Sequence, residues 1–179
     1  MQQPIWQPSP ERIEQANLTR FMRVVREEHG IEAADYRGLY DWSIAHPERF
    51  WTTLWAYAGV VGDRGGDEVL IDSHRMPGAK WFPHARLNFA ENLLRRRDSG
   101  VALVFRGEDR VRSVYTYAEL HDAVSRTAQA LRAAGVVAGD RVAGYLPNMP
   151  AAVIAMLAAT SVGAIWSSCS PDFGVHGVL

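Results

Sequence analysis

The sequence predicts an α/β chain in which an N-terminal helical cap region precedes the start of a βαβ-containing domain. Three observations lead there. Trp6, Trp42, Trp51, Trp55 and Trp81 crowd the first 81 residues, and only Trp166 follows. From Val101 onward, short apolar runs alternate with long amphipathic segments in strand–helix–strand order. The 179 residues, 47% hydrophobic and 22% charged, have the composition of a globular protein with room for one domain and a fraction.

The elements follow in order. Ser9-Pro10-Glu11 combines a capping hydroxyl, Pro at the first helical position and an acid in the first turn. Ile13, Leu18, Phe21, Val24 and Val25 then continue one helix to Gly30. A second helix begins at Asp35. Pro47 opens a third, over 47–61, in which Phe50, Leu54 and Ala58 recur every fourth residue beside Trp51 and Trp55. Such an aromatic face serves either core packing or ligand binding. Gly62 to Asp67 is a loop, and Asn88 with Glu91 makes a capping-box-like start for a helix over Phe89–Arg96. Arg95-Arg96-Arg97 at its end can complement the helix dipole or recognise phosphate.

The second region reads as a hairpin of strands 101–105 and 111–115 around a Gly107-Glu108-Asp109 turn. Thr116 and Glu119 form a capping box for a helix with Leu120, Val124, Thr127, Ala128 and Leu131 on one face, ending near Gly135. Val142 to Leu146, stopped by Pro147-Asn148, suits a strand buried on both faces. A helix from Met149 to about Val162 and a strand at Ala164–Ser167 complete a crossover unit.

Several functions lose support at once. A net charge of −1 gives no electrostatic motive for general binding to nucleic acid or anionic membrane. The apolar run 151–166 is shorter than the roughly 20 residues of a membrane span. The single Cys169 permits no internal disulfide, and no charged-then-apolar leader opens the chain, so a cytoplasmic location is expected. P-loop, Gly-x-Gly-x-x-Gly, His-Glu-x-x-His and paired-Cys motifs are missing. The six histidines are scattered and point to surface or capping roles.

One stretch carries chemistry: Trp166-Ser-Ser-Cys-Ser-Pro-Asp-Phe-Gly174, where a parallel strand should end. Ligands of open α/β sheets bind beyond the carboxyl ends of the strands, where hydroxyls and free amides can hold phosphate or amide oxygens. Ser170-Pro171-Asp172 is equally an ordinary helix start, with the hydroxyl as cap. Both readings stand. Cys169 is either an inert thiol or a nucleophile that would need a base such as His176.

Trp6-Gln-Pro-Ser9, Trp42-Ser43, Phe50-Trp51, Leu87-Asn-Phe-Ala-Glu-Asn-Leu-Leu94, Gly139-Asp-Arg-Val142, Leu146-Pro-Asn148 and Gly163-Ala-Ile-Trp-Ser-Ser-Cys-Ser-Pro-Asp-Phe-Gly174 span essentially the whole chain. Together they resemble the acyl-adenylate-forming superfamily and, within it, the acetoacetate–CoA ligases, close relatives of the acetyl-CoA synthetases. The resemblance implies residues 1–95 as an N-terminal helical cap region with connector and residues 96–179 as the incomplete beginning of the large AMP-forming domain. It implies a two-step reaction: a carboxylate and ATP give an acyl-adenylate and pyrophosphate, and the CoA thiol then displaces AMP. Adenylation turns a poor electrophile into a good one, and Mg²⁺ offsets the phosphate charge.

Family members are several times longer, and their phosphate loop, nucleotide contacts, hinge and catalytic lysine all lie downstream; the only lysine here is Lys80. The resemblance therefore implies no catalytic or metal-binding residue in this segment, no activity, and no tight binding of ATP, Mg²⁺ or CoA by it alone. The partners implied for the complete enzyme are acetoacetate, ATP and CoA. By resemblance to the CoA channel of acetyl-CoA synthetases, Ser170, Asp172 and Phe173 are CoA-side candidates. The relatives carry glycines where this chain has Pro171 and Asp172. The alternatives are a ligase for another short acid and a free-standing α/β docking module that uses the aromatic helical face.

Overall fold

The computed structural model describes residues 5–31, 35–108 and 111–178; Asp109 of the expected hairpin turn lies outside them. Two compact units, Met1–Arg86 and Leu87–Leu179, divide the chain.

In the first unit, Ser9 caps α1 (Pro10–Glu14) through the Arg12 amide, with Pro10 at the first position. The helix expected to run on to Gly30 breaks instead at Gln15-Ala16, and α2 (Asn17–His29) starts afresh. No Gly or Pro marks this break. The Thr19 hydroxyl donates at 2.5 Å to the Ile13 carbonyl, which also accepts from the Ala16 amide at 3.1 Å, so the end of α1 is satisfied within the break. Gly30, at φ 64°, closes α2 in the left-handed conformation that favours glycine. Asp35 caps α3 (Tyr36–Ala45) through the Gly38 amide at 2.8 Å. Pro47 opens α4 (Pro47–Tyr57), which stops short of the expected residue 61 because the chain turns through Gly59 at φ 60°.

The apolar faces of α2, α3 and α4 meet in a core of Phe21, Met22, Val25, Leu39 and Trp42, with Phe50, Leu54 and Tyr57 packed against it. Phe21 meets Phe50 edge-on at 5.7 Å between ring centroids. Trp51 and Trp55 point elsewhere: Trp51 contacts Trp81 at 5.7 Å and Trp55 contacts Phe82 at 4.9 Å. Beside Phe82 runs a short antiparallel ladder, β1 (Leu70–Ile71) with β2 (Lys80–Trp81), which the periodicity did not announce. A run of two residues carries no period.

In the second unit, Asn88 caps α5 (Phe89–Leu93). This helix ends at Leu93, so the arginine triplet lies beyond it rather than in its last turn, a correction to the dipole reading. Arg96 instead forks onto Asp98 with two bonds of 2.9 Å and lies 4.0 Å over the Tyr117 ring. The hairpin forms as β3 (Val101–Arg106) and β4 (Arg112–Thr116), antiparallel, with Leu103 opposite Tyr115 facing the core. The expected capping box opens α6 (Tyr117–Ala133): the Glu119 amide donates to Thr116 Oγ1 at 3.2 Å, and Glu119 Oε2 accepts from the Thr116 amide at 2.8 Å.

Beyond it, β5 (Arg141–Tyr145), α7 (Pro150–Ser161) and β6 (Ile165–Cys169) form the crossover unit, with β5 and β6 parallel. Leu120, Val124 and Ala128 of α6 and Leu157 and Ala158 of α7 form the core with Ala90 and Leu94. Leu157, 2% exposed, gains about 2–3 kcal/mol from burial, and Leu157→Ala would cost about 2–5 kcal/mol. Among the described residues, no helix is long and apolar enough to cross a membrane.

Candidate functional site

The carboxyl ends of β5 and β6 form the candidate site, and the links before these strands set their register. Gly139, at φ 88°, turns the chain after Val137, and the Asp140 carboxylate accepts from the Val137 amide at 2.8 Å. The Gly139 amide donates to the Gly163 carbonyl and the Ile165 amide to the Asp140 carbonyl, at 2.9 and 2.7 Å. Gly139-Asp-Arg-Val and Gly163-Ala-Ile-Trp are thus two halves of one junction. Gly144, halfway along β5, lacks the Cβ that would stand 2.6 Å from the Trp166 ring, so glycine leaves room for this ring on the face of the β5–β6 pair.

At the other end, the Leu146 amide donates to the Cys169 carbonyl at 3.2 Å, and the chain leaves β6 at Ser170. Ser170 Oγ accepts from the Asp172 amide at 3.4 Å and donates to the Asp172 carboxylate at 2.9 Å. Pro171–Phe173 form one 3₁₀ turn, followed by α8 (Gly174–Val178). The Tyr145 hydroxyl donates to the Pro171 carbonyl at 2.8 Å and ties the end of β5 to this turn.

The three sequence-derived candidates therefore sit in a single turn. Ser170 is its half-buried cap, Asp172 is exposed on it, and Phe173 is 62% exposed. Sequence reasoning did not single out Tyr145; its one signal was an aromatic hydroxyl on the last residue of a strand. Cys169 is half-buried inside β6. No cluster of three or more His, Cys, Asp or Glu side chains capable of holding a metal occurs among the described residues. The turn can present an exposed ring, a carboxylate and a hydroxyl at a strand end; it assembles no nucleophile with a base.

His46, His74, His84 and His176 are exposed, as the surface or capping reading expects, and His29 departs from it. His29 is only 19% exposed at its side chain, stacks on Trp42 at 5.0 Å and bonds to Thr53 at 2.8 Å.

Comparison with known proteins decides the family. The model for AMP-binding enzymes matches residues 89–178, half of the chain. The chain belongs to the AMP-binding enzyme family. A second family model, the acetyl-coenzyme A synthetase N-terminus, matches residues 36–93. Acetoacetyl-coenzyme A synthetase of Rhizobium meliloti (strain 1021) is 51% identical over 99% of this chain and 27% of its own length. Acetoacetyl-CoA synthetase of Gallus gallus is 43% identical over 99% of this chain and 27% of its own. The solved structure of acetoacetyl-CoA synthetase from Streptomyces lividans superposes with a TM-score of 0.90 at 45% identity, covering 99% of this chain and 28% of that one. As a member of the AMP-binding family, the chain thus spans about a quarter of the length of these relatives.

Proposed function

We propose that this chain is the N-terminal part of an ATP-dependent acid–thiol ligase that converts acetoacetate, ATP and CoA to acetoacetyl-CoA, AMP and pyrophosphate. The observation that carries the proposal is the near-complete coverage of this chain, at 51% identity, by a relative named for that synthetase. In the complete enzyme the acetoacetate carboxylate attacks the α-phosphate of ATP and releases pyrophosphate; the CoA sulfur then attacks the acyl carbon, and AMP leaves with the bonding electrons. Residues 1–95 serve as the helical cap region with its connector, and residues 96–179 begin the large domain.

The described residues do not fit the Mg²⁺ that the family's chemistry implies, since no carboxylate cluster is available to hold it, and no step is assigned to this segment through that ion. Its role is to scaffold. On the CoA side, Ser170, Asp172 and Phe173 are the residues proposed to meet the cofactor in the complete enzyme, supported by their place beyond a parallel strand's carboxyl end. The full protein acts in the cytoplasm, in lipid and fatty-acid metabolism, on small molecules and not on nucleic acid or membrane.

The test uses the coding sequence expressed through its own stop codon beside the 179-residue chain. Acetoacetate-dependent exchange of pyrophosphate into ATP and CoA-dependent AMP release are expected from the former and neither from the latter. Exchange catalysed by the 179-residue chain, or a long polypeptide that ignores acetoacetate, overturns the proposal.

A further inference from the structure

Parallel strands exchange backbone bonds in a fixed order: a residue whose amide donates to one residue of its neighbour accepts, at its carbonyl, from the residue two further on. The Leu146 amide donates to the Cys169 carbonyl, so the next bond of the β5–β6 ladder belongs to the amide of residue 171. That residue is Pro171, which has no N–H to give. Backbone pairing therefore lapses where the candidate turn begins.

The turn is shaped from within. Ser170 Oγ accepts from the Asp172 amide and donates to the Asp172 carboxylate, and the Phe173 amide donates to the Ser170 carbonyl at 3.2 Å. These bonds set the curl of residues 170–173 but not its place against the sheet. Among the described residues, the side chain that reaches this turn from outside is Tyr145, whose hydroxyl donates to the Pro171 carbonyl at 2.8 Å. Tyr145 pairs with Cys169, the last residue of β6, and directly paired residues of a parallel ladder share a face. Its ring thus stands one pair before the turn, and with two rotatable bonds it is a stiff arm. A side chain takes over where proline ends the ladder.

We infer that Tyr145 is a positioning residue for the thiol-transfer half of the reaction: its hydroxyl fixes where Ser170, Asp172 and Phe173 stand relative to β5, and through them how tightly CoA is held. The inference rests on the proposed placement of those three residues on the CoA side. A turn released from β5 must be ordered again each time CoA binds, a cost that falls on binding and not on the adenylation that precedes it.

The experiment replaces Tyr145→Phe in the protein expressed through its own stop codon, removing one oxygen and keeping the ring. The KM for CoA is expected to rise about fivefold, the share of one exposed hydrogen bond, while kcat at saturating CoA and acetoacetate-dependent exchange of pyrophosphate into ATP stay within about twofold of the parent. Phe173→Ala, measured beside it, tests the underlying reading and should raise the KM for CoA about tenfold through the lost ring contact. An unchanged KM in Tyr145→Phe beside a raised one in Phe173→Ala overturns the positioning role and leaves the CoA-side reading standing. Unchanged values in both overturn the two together. A KM raised by Tyr145→Phe alone sets the hydroxyl itself, and not the turn, against CoA, which also overturns the inference. So does an equal fall in pyrophosphate exchange and thioester formation, the mark of a merely structural tie.

Discussion

The Asn88 side chain joins the start of one helix to the end of another: its Nδ2 donates to the Thr160 carbonyl at 2.9 Å, and its Oδ1 accepts from the Glu91 amide at 3.1 Å. One amide thereby satisfies an orphan donor of α5 and adds a second bond to an α7 carbonyl that also accepts from the Gly163 amide at 3.1 Å.

Replacement of Asn88 separates these two duties. Asn88→Ala loses both bonds and should lower unfolding stability by about 1–3 kcal/mol. Asn88→Asp keeps the cap but sets a carboxylate against the Thr160 carbonyl, so it should not recover the loss. Urea unfolding measures both, and full recovery by Asp would show that capping alone matters.

Thr53 is 3% exposed and holds two partners. Its hydroxyl donates to Glu28 Oε2 at 3.1 Å, which leaves His29 Nε2, 2.8 Å away, as donor to Thr53 Oγ1. Thr53→Val keeps the shape but strands the His29 donor, with an expected cost of about 1–3 kcal/mol. Thr53→Ser keeps both bonds and should cost about 1 kcal/mol, for one lost methyl. A valine variant as stable as the parent in thermal unfolding would contradict this account.

The Thr116 amide, followed by its hydroxyl, holds the exposed Glu119 carboxyl below its ordinary value of 4.5. A carboxylate lowered on folding stabilises above its unfolded value and loses that contribution as pH falls through the folded one. The melting temperature should therefore fall on acidification below about pH 4.5, and Glu119→Gln should flatten that part of the profile. The two profiles, recorded by circular dichroism from pH 6 to pH 3, should run parallel only if the box contributes nothing.

Asp172 can be separated from the turn it helps to close. In the complete enzyme, Asp172→Ala should raise the KM for CoA about tenfold, roughly the loss of one polar contact, and leave acetoacetate-dependent pyrophosphate exchange nearly unchanged. Equal loss in both half-reactions would mark a purely structural residue, whose carboxylate serves Ser170 alone.

Helix starts were legible in the sequence because each cap reaches only two or three residues ahead: Ser9, Asp35, Asn88, Thr116 and Ser170 all close bonds within that span. The α6 face was legible for a similar reason, since Leu120, Val124 and Ala128 recur at the helical period. Contacts closed by packing were not. Thr53 meets His29 across 24 residues and Tyr145 meets Pro171 across 26, distances at which only the crossing of helices or the register of strands decides who is near. The seat of Arg96 over Tyr117 belongs with these, a partner 21 positions away outweighing local preferences of well under 1 kcal/mol per residue. The interruption at Gln15-Ala16, closed by Thr19 on Ile13, carried no Gly or Pro to announce it. For the candidate site, residue order alone located the Ser170–Phe173 turn after a strand; only the parallel register of β5 and β6 put Tyr145 beside it.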